Sequence, residues 1–301
     1  MKWLGLILFG GLLMSGHAAD RPAPLSEAEK HVIVGKGTEP PFSGRYDAFF
    51  LPGLYLCRQC GAPLYRSDDK FNSGCGWPAF DEAFDAAVKQ TPDPDGQRTE
   101  IACAGCGGHL GHVFKGEKLT PRNTRHCVNS RSMSFVAADD PQFGRAVLAG
   151  GCFWGVEYYL RQVDGVLHTT VGYCGGKTLN PTYEQVCSGK TGYVEVVEVI
   201  FDPGRTSYEN ILRVFLEIHD PTQLDRQGPD VGPQYRSAIF YYNAGQRETG
   251  ERLLQLLRVK GYKTVTELLP AGRFWPAEGY HRQYYQKKGA LPYCHKRVSR
   301  F

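Results

Sequence analysis

The sequence lacks the features that would place it directly in a specialised class of protein. Its 35 basic and 31 acidic residues leave a net charge of only +4, so charge alone favours neither nucleic acid nor an anionic membrane as a partner. Ten cysteines among 301 residues are too few for a disulfide-packed miniprotein. No apolar run reaches the roughly 20 residues of a transmembrane helix. What remains is an ordinary globular composition, with a length that predicts two domains of about 150 residues each.

The amino terminus has the pattern of an export signal. Lys2 precedes the apolar run Trp3–Met14, and small residues follow before residue 20. We therefore expect a signal peptide over residues 1–19, a short flexible leader over residues 20–29, and a periplasmic protein without stable membrane insertion after cleavage. An uncleaved anchor is the alternative. Because thiols tend to pair after export, the ten cysteines indicate either five disulfides or zinc binding together with redox chemistry.

The two halves of the chain differ in composition and periodicity. Residues 30–136 are rich in glycine, proline and short apolar runs, which predicts a small, mainly β domain in which only residues 81–88 are expected to form a helical turn or two. Residues 146–301 alternate strand and helix patterns, which predicts an α/β or α+β domain. Residues 137–145 form the linker, and its shortness predicts that the two domains touch.

Four segments carry the prediction for the second domain. They are a strand at Ala146–Ala149, a buried strand at Tyr193–Phe201, a helix opened by the capping-box spacing of Thr206 and Glu209, and an amphipathic helix at Gln246–Val259. A further helical stripe follows Gly151. The sequence shows no internal repeat.

Two Cys-x-x-Cys-Gly knuckles in the first half predict a metal site. Their cysteines are Cys57, Cys60, Cys103 and Cys106. Four thiolates suit a closed tetrahedral zinc site, so we expect one structural zinc per chain. Disulfides are the alternative after export. A zinc ribbon that binds nucleic acid is not favoured, because the basic residues around the knuckles are scattered.

Two other cysteines have surroundings that favour a reactive thiol. Cys152 stands between glycines where a strand meets a helix, and a helix amino terminus stabilises a thiolate. Cys127 follows Arg125 and His126, and a neighbouring cation lowers a thiol's pKa. The alternative for each is a buried structural cysteine. In the first half, a pair of histidines also lies between a knuckle and Cys127.

Longer motifs connect these residues in a fixed order. In the first half they are the two knuckles, SGCGWPAF (73–80), GHLGHVF (108–114) and RHCVNS (125–130); in the second they are GCFWG (151–155), NPTYEQVCSG (180–189), EVVEV (195–199) and DVGPQYRS (230–237). On these motifs, residues 30–136 resemble methionine sulfoxide reductase B, and residues 146–296 resemble methionine sulfoxide reductase A. The resemblance implies reduction of oxidised proteins and of free methionine sulfoxide, with the R epimer assigned to the first half and the S epimer to the second.

In the second half, the resemblance implies a role for each of seven residues. Cys152 would be the nucleophile, Glu195 the proton donor to the leaving oxygen, Phe153 and Trp154 the box for the methyl group, Tyr183 and Tyr235 hydrogen-bond donors to the oxygen, and Asp230 a positioning residue. Strand periodicity places Glu195 and Glu198 on opposite faces that are both otherwise apolar, so it does not decide which of them is the proton donor. Only the resemblance selects Glu195. On an apolar strand face, Glu195 is expected to have a raised pKa.

In the first half, the resemblance makes Cys127 the nucleophile. Trp77 would pack on the methyl group, and Arg125 would favour the thiolate. His109, His112 and Asn129 would hold a water or donate to the oxygen, with His112 the better candidate for the acid. One departure from the family pattern is His126, where the family often has tyrosine or phenylalanine.

Each nucleophile would become a sulfenic acid and then form a disulfide with a second thiol. In the first half, Cys75 is the candidate outside the knuckles, and the resemblance places the second thiol in its motif. In the second half we expect Cys294, carried by a mobile tail. Cys187 is interpreted as core packing and Cys174 as a spare thiol, while Tyr193 stands where the family usually has histidine.

The sequence contains no thioredoxin-like module of its own. We therefore expect an external thioredoxin-like reductant. A general exported thiol–disulfide oxidoreductase and a disulfide-stapled binding module are the alternative functions, although the Cys-x-x-Cys pairs resemble zinc knuckles more than redox motifs.

Overall fold

The computed structural model describes residues 22–94, 96–140 and 144–301. The expected signal peptide, residues 1–19, lies outside these residues, as do positions 20 and 21 of the leader and 141–143 of the linker. Within the described ranges, no helix is both long and apolar enough to span a membrane.

The N-terminal half is built mainly from short strands. Its elements are α1 (Glu27–Ile33), β1 (Gly53–Cys57), β2 (Pro63–Arg66), β3 (Lys70–Phe71), β4 (Ala79–Phe80), β5 (Val88–Pro92), β6 (Thr99–Cys103), β7 (His109–Lys115), β8 (Thr124–Val128) and β9 (Met133–Ala137). They form a three-stranded sheet in the order β2-β1-β9 and a six-stranded sheet in the order β3-β4-β8-β7-β6-β5. All the strand pairs in these two sheets are antiparallel. The apolar residues between the sheets, among them Tyr55, Leu64 and Phe80, form one core.

Two local expectations for this half are wrong. Residues 81–88 form a turn and the start of β5, not a helix. The reason is tertiary: Phe84 is buried, its backbone N–H donates to the carbonyl of Leu64, and Ala86 adopts a left-handed φ of 56°. The leader is also partly ordered, because Ser26 and Glu29 make a capping box that begins α1 within it.

The C-terminal half combines helices with a larger sheet. Its elements are β10 (Arg145–Gly150), α2 (Phe153–Leu160), β11 (Val166–Cys174), α3 (Tyr183–Cys187), β12 (Val194–Phe201), α4 (Tyr208–Ile218), β13 (Arg226–Gln227), β14 (Asp230–Val231), β15 (Ser237–Tyr241), α5 (Ala244–Val259), β16 (Glu267–Pro270), β17 (Trp275–Pro276) and α6 (Tyr284–Lys288). The four predicted segments are all present. The cap of α4 is Ser207, however, because Thr206 is buried and accepts from the Asn210 side chain instead.

The sheet of this half has the order β16-β15-β10-β12-β11-β17. Only β15 and β16 pair in parallel, so the domain is of the α+β type. Every residue of the central strand β12 is buried. One of its faces packs with Val197 and Val199 against the helices, and the other carries Val194 and Val196. The β period of two therefore sends Glu195 and Glu198 to opposite faces.

Glu198 belongs to a buried ion cluster that joins the two halves. Its carboxylate accepts from Nε of Arg66 at 2.7 Å and from Nε of Arg145 at 2.8 Å. Arg66, from the N-terminal half, also donates to Thr170 at 2.9 Å, and Arg145 reaches Asp68 at 3.0 Å. Burial would raise the pKa of Glu198, but the two guanidiniums hold it below its usual value. The halves are thus in direct contact, as the short linker predicts.

Candidate active sites

The four knuckle cysteines converge at one corner of the N-terminal half. All four Sγ atoms lie within 4.8 Å of one another. Cys57 and Cys106 have their sulfurs 3.6 Å apart, and Cys60 and Cys103 have theirs 3.7 Å apart. A tetrahedral zinc with Zn–S bonds of about 2.3 Å requires sulfurs about 3.8 Å apart, whereas a disulfide requires about 2.05 Å. The arrangement therefore fits a four-sulfur metal site.

A second sulfur pair lies at the edge formed by β4 and β8. Cys127 is in β8, opposite Ala79 of β4, and Cys75 is in the loop just before β4. Their Sγ atoms are 3.8 Å apart. Ser73 donates to the Cys75 sulfur at 3.0 Å, and Nη1 of Arg125 approaches the same sulfur at 3.5 Å. A small movement of the loop would bring the two sulfurs to bonding distance.

The hydrogen bond between these two thiols shifts their pKa values in opposite directions. The hydrogen bond from Cys127 lowers the pKa of Cys75 to about 5, against the effect of burial, and Ser73 and Arg125 act in the same direction. The same hydrogen bond, together with burial, raises the pKa of Cys127, and Arg125 only partly opposes that rise. Arg125 still acts on the Cys127 thiol in the direction that the resemblance implies, by lowering its pKa. The guanidinium, also paired with Glu117, lies against the other sulfur.

The expected acid–base residues of this half lie on β7 and just after β8. His112 is directly opposite Cys127 in the ladder, and its Nε2 is 3.0 Å from Asp93. His109 places Nδ1 2.7 Å from Glu100, while its buried Nε2 has no hydrogen-bond partner in the described ranges. Burial, partly offset by Glu100, lowers the pKa of His109 and favours its neutral form.

Asn129 and Trp77 both connect to the segment around Glu39. The Asn129 amide accepts from the Glu39 backbone N–H at 3.0 Å and donates to the Leu110 carbonyl at 3.0 Å. Through these two hydrogen bonds, Asn129 positions the backbone at Glu39 and Leu110. Nε1 of Trp77 donates to the Glu39 carbonyl, which fixes the plane of the half-buried indole.

The third sulfur group is in the C-terminal half, at the junction of β10 and α2. Cys152 is the residue that precedes α2, and Gly151 before it has a φ of 94°, which favours glycine. The Sγ atoms of Cys152 and Cys294 and a carboxylate oxygen of Asp230 lie within 4.8 Å of one another. The tail thus holds Cys294, itself buried, against Cys152.

The surroundings of Cys152 act on the pKa of its thiol in both directions. Its hydrogen bond with Cys294 and its burial raise its pKa, and the Trp154 backbone N–H opposes the rise only in part. The Phe153 N–H at the start of α2 donates to Glu195 at 3.0 Å. The backbone N–H groups at the start of α2 therefore act on both the Cys152 sulfur and the Glu195 carboxyl group.

Glu195 is a buried carboxylic acid beside this sulfur. Burial, and then the proximity of Cys152, raise its pKa well above the usual value, although the Phe153 N–H lowers it. The protonated carboxylic acid is therefore favoured, which is the direction that the apolar strand face predicts. Tyr235 faces the same group: its own pKa is raised by burial and by the charges of Glu195 and Cys152.

Aromatic rings surround the site. Phe153 is buried, and Trp154 stacks on Tyr284 with ring centroids 3.7 Å apart. Tyr183 lies 4.4 Å from the ring of His281. Asp230 accepts from Tyr293 at 3.1 Å, and its other oxygen is buried without a hydrogen-bond partner among the described residues. The structure thus gathers the other six residues expected for this half in the region of Cys152.

Sequence reasoning missed Glu278 and His281. Glu278 accepts from Tyr173 at 2.9 Å and from the Tyr183 N–H at 3.0 Å, and His281 accepts from Nε1 of Trp154 at 3.2 Å. Together they orient the aromatic rings. The signal was the segment 275–285, in which aromatic and polar residues alternate closely.

The remaining thiols and the two departures lie away from the reacting sulfurs. Burial raises the pKa of Cys174 to about 11, whereas Cys187 is only half-buried, beside the Tyr183 side chain. Tyr193 hydrogen-bonds to the Thr178 carbonyl. His126 lies 3.2 Å from Tyr65 on the opposite strand face from Cys127, and burial lowers its pKa to about 4. His126 is therefore neutral and does not charge the site.

Comparison with known proteins agrees with this division of the chain. Residues 25–137 match the SelR domain model, and residues 144–301 match the model of peptide methionine sulfoxide reductase. The peptide methionine sulfoxide reductase MsrA of Nautilia profundicola is 49% identical over 150 residues, which are 50% of this chain and 87% of that protein. The corresponding protein of Methanosarcina acetivorans is 53% identical, over 49% of this chain and 80% of its own length.

Among solved structures, Mxr1 from Saccharomyces cerevisiae in reduced form is 32% identical, with a TM-score of 0.49 over 52% of this chain and 92% of that one. The family model alone covers more than half of the sequence, and the relatives are matched over most of their length. The chain therefore belongs to the peptide methionine sulfoxide reductases, with a SelR (MsrB) domain followed by an MsrA domain.

Proposed function

We propose that each close sulfur pair serves one epimer of methionine sulfoxide: Cys152 and Cys294 the S epimer, and Cys127 and Cys75 the R epimer. The observation that carries the proposal is the presence, in each half, of two free thiols close to one another beside an aromatic side chain. Because sulfoxide sulfur is a stereocentre, two differently shaped sites are needed for the two epimers.

The reaction consumes two thiols for each sulfoxide. The nucleophile attacks the sulfoxide sulfur, the thioether leaves, and the oxygen stays on the cysteine as a sulfenic acid. The second thiol then attacks that sulfur, which forms a disulfide and releases water. In the C-terminal half, Glu195 supplies a proton to the oxygen, Tyr183 and Tyr235 donate to it, and Phe153 with Trp154 receives the methyl group.

In the N-terminal half, the same steps involve fewer ionisable groups. Cys127 gives up its proton and attacks, Trp77 contacts the methyl group, and His112, opposite Cys127, is the proton donor. His109 assists with its unpaired Nε2. The lowered pKa of Cys75 suits a thiol that must attack the sulfenic acid.

The separated epimers test this proposal directly. With dithiothreitol as donor, the purified chain should reduce both the R and the S forms, each releasing methionine. A general thiol–disulfide oxidoreductase would reduce protein disulfides and leave both sulfoxides untouched. If no methionine is released from one epimer, the function proposed for the corresponding half is wrong.

We propose that the four knuckle cysteines bind one structural zinc. When bound, zinc would cross-link the two knuckles and have no open position for a reaction. We expect about one zinc per chain by atomic absorption, and a Cys57→Ser variant that loses the metal and most R-epimer activity. Cys174→Ser is the matched control, since this buried thiol lies outside the three sulfur groups. A Cys57→Ser variant that keeps its full zinc content would contradict the proposed zinc site.

Glu195→Gln should specifically impair the S epimer. An amide cannot transfer a proton, so we expect S-epimer reduction to fall by about 100-fold or more. In the wild type the acid works while Glu195 is protonated, so activity should decline as pH rises through its elevated pKa. This alkaline decline should vanish in the variant, measured as kcat/KM against pH. The R-epimer rate of the same preparation is the internal control.

We also propose that the protein is exported and depends on an external thioredoxin-like reductant. The pattern of residues 1–19 supports export, and the absence of a thioredoxin-like motif from the sequence supports an outside donor. Oxidised proteins outside the cytoplasm would then be the substrates.

A further inference from the structure

His295 is a buried histidine that touches one of the reacting sulfurs. Its Nδ1 lies 3.0 Å from Sγ of Cys294, and its Nε2 lies 2.7 Å from the carbonyl oxygen of Gly150. None of the roles assigned above involves this residue. Each of its two ring nitrogens nevertheless has a defined neighbour.

The carbonyl of Gly150 decides which nitrogen carries the proton. A carbonyl oxygen only accepts, so Nε2 is the protonated nitrogen and donates to it. In a neutral imidazole the other nitrogen, Nδ1, is then an acceptor. Nδ1 consequently accepts the hydrogen bond of the Cys294 thiol.

A glycine in the first turn after the nucleophile makes room for this ring. A Cβ at Gly155 would lie 2.2 Å from Nδ1 of His295 and 2.9 Å from its Cε1. Gly150 itself ends β10, two residues before Cys152. The segment that carries the nucleophile therefore also positions the imidazole against the second thiol.

We propose that His295 is the general base and proton shuttle for disulfide formation between Cys294 and Cys152, an inference that rests on the proposed function of Cys152. Nδ1 takes the proton of the Cys294 thiol as its sulfur attacks the sulfenic sulfur of Cys152. The S–S bond forms, the S–O bond breaks, and the leaving oxygen takes the proton from Nδ1 as water. No outside oxidant or proton is consumed.

The surroundings keep His295 available as a base. Burial lowers its pKa, and the Gly150 carbonyl and Asp230 only partly offset this, so the ring is neutral near pH 7. Among the described residues, one carboxylate, Asp230, faces His295 or the Cys294 thiol. The other titratable groups that face them are Cys152, Cys294 itself, His219, Tyr159, Tyr285 and Tyr293.

The test is a single turnover of the S epimer without reductant, in the presence of dimedone. Dimedone traps the sulfenic acid on Cys152, so the ratio of adduct to disulfide reports the second step alone. We expect the wild type to give disulfide, and His295→Gln and His295→Asn to release the first methionine but to slow disulfide formation by about 100-fold or more. The adduct should approach the level of Cys294→Ser.

Two further measurements separate a base from a packing role. Tyr159→Phe removes a 3.4 Å contact to the His295 carbonyl without touching a sulfur, and should behave as wild type. In the histidine variants, disulfide formation should recover about tenfold per pH unit towards the usual thiol pKa of about 8.5, since hydroxide then replaces the base.

The wild type supplies a test that does not depend on folding of a variant. Its disulfide share should stay constant between about pH 8 and pH 6.5, where an unassisted thiol would lose reactivity. A tenfold loss per unit across that range, or wild-type disulfide rates in both histidine variants, would overturn the inference. Failure of the wild type to release methionine would instead overturn the proposed function.

Discussion

We expect Cys152→Ser to lose reduction of the S epimer by at least about 1,000-fold while retaining reduction of the R epimer, and Cys127→Ser to show the reverse. A serine hydroxyl is a far weaker nucleophile than a thiolate and forms no sulfenic acid, so no residual route through the same site remains. The measurement is the initial rate of methionine release from each separated epimer, with dithiothreitol as donor.

The two variants control for each other. Both substitutions replace one sulfur by one oxygen in a close thiol pair, and the two pairs lie in different halves of the chain. A variant that loses both activities would indicate that the sites are coupled or that the fold is damaged, which circular dichroism would distinguish. Retention of both activities in either variant would show that its nucleophile is misassigned.

The second large effect concerns stability. Glu198→Gln keeps the shape of the side chain but removes the charge that balances Arg66 and Arg145 in the buried cluster. Removing one partner of a buried ion pair leaves uncompensated charge, so we expect a loss of about 3–5 kcal/mol in the free energy of unfolding. Urea denaturation, followed by circular dichroism and by the activity of each half, measures it.

The pH dependence of this contribution has a definite sign. Because the pKa of Glu198 is lowered in the folded protein, its contribution is complete above the usual glutamate pKa and is lost as pH falls below it. Glu209→Gln is the matched control: Glu209 pairs with Arg213 and Arg252 at the surface, where removal should cost no more than about 1 kcal/mol. Equal losses in the two variants would contradict the role of the cluster.

Several features were predictable because they depend on neighbours along the chain. The alternation of polar and apolar residues placed Glu195 and Glu198 on opposite faces of one strand, as in the structure. The two-residue gap accounts for the two sulfurs within each knuckle, whereas folding brings the two knuckles to each other. The helix expected at residues 81–88 failed because Phe84 is drawn into a contact with Leu64, which local propensity does not report.

Protonation states were the least predictable part of the site. Local reasoning gave Cys152 a helix terminus and Cys127 a neighbouring arginine, and both arguments pointed to thiolates. In the folded chain each sulfur faces a second sulfur from a distant segment, and that hydrogen bond outweighs the local effect. His281 was missed for a similar reason: it hydrogen-bonds to Trp154, which lies 127 residues away along the chain.

The sequence by itself determined the residue types, their motifs and the faces of the strands, since these follow from spacing along the backbone. Only the tertiary structure decided which sulfurs lie together, which glutamate is buried beside Cys152, and that Arg66 of one half neutralises Glu198 of the other. A pKa depends on burial and on every charge within a few ångströms, and folding alone brings those groups together.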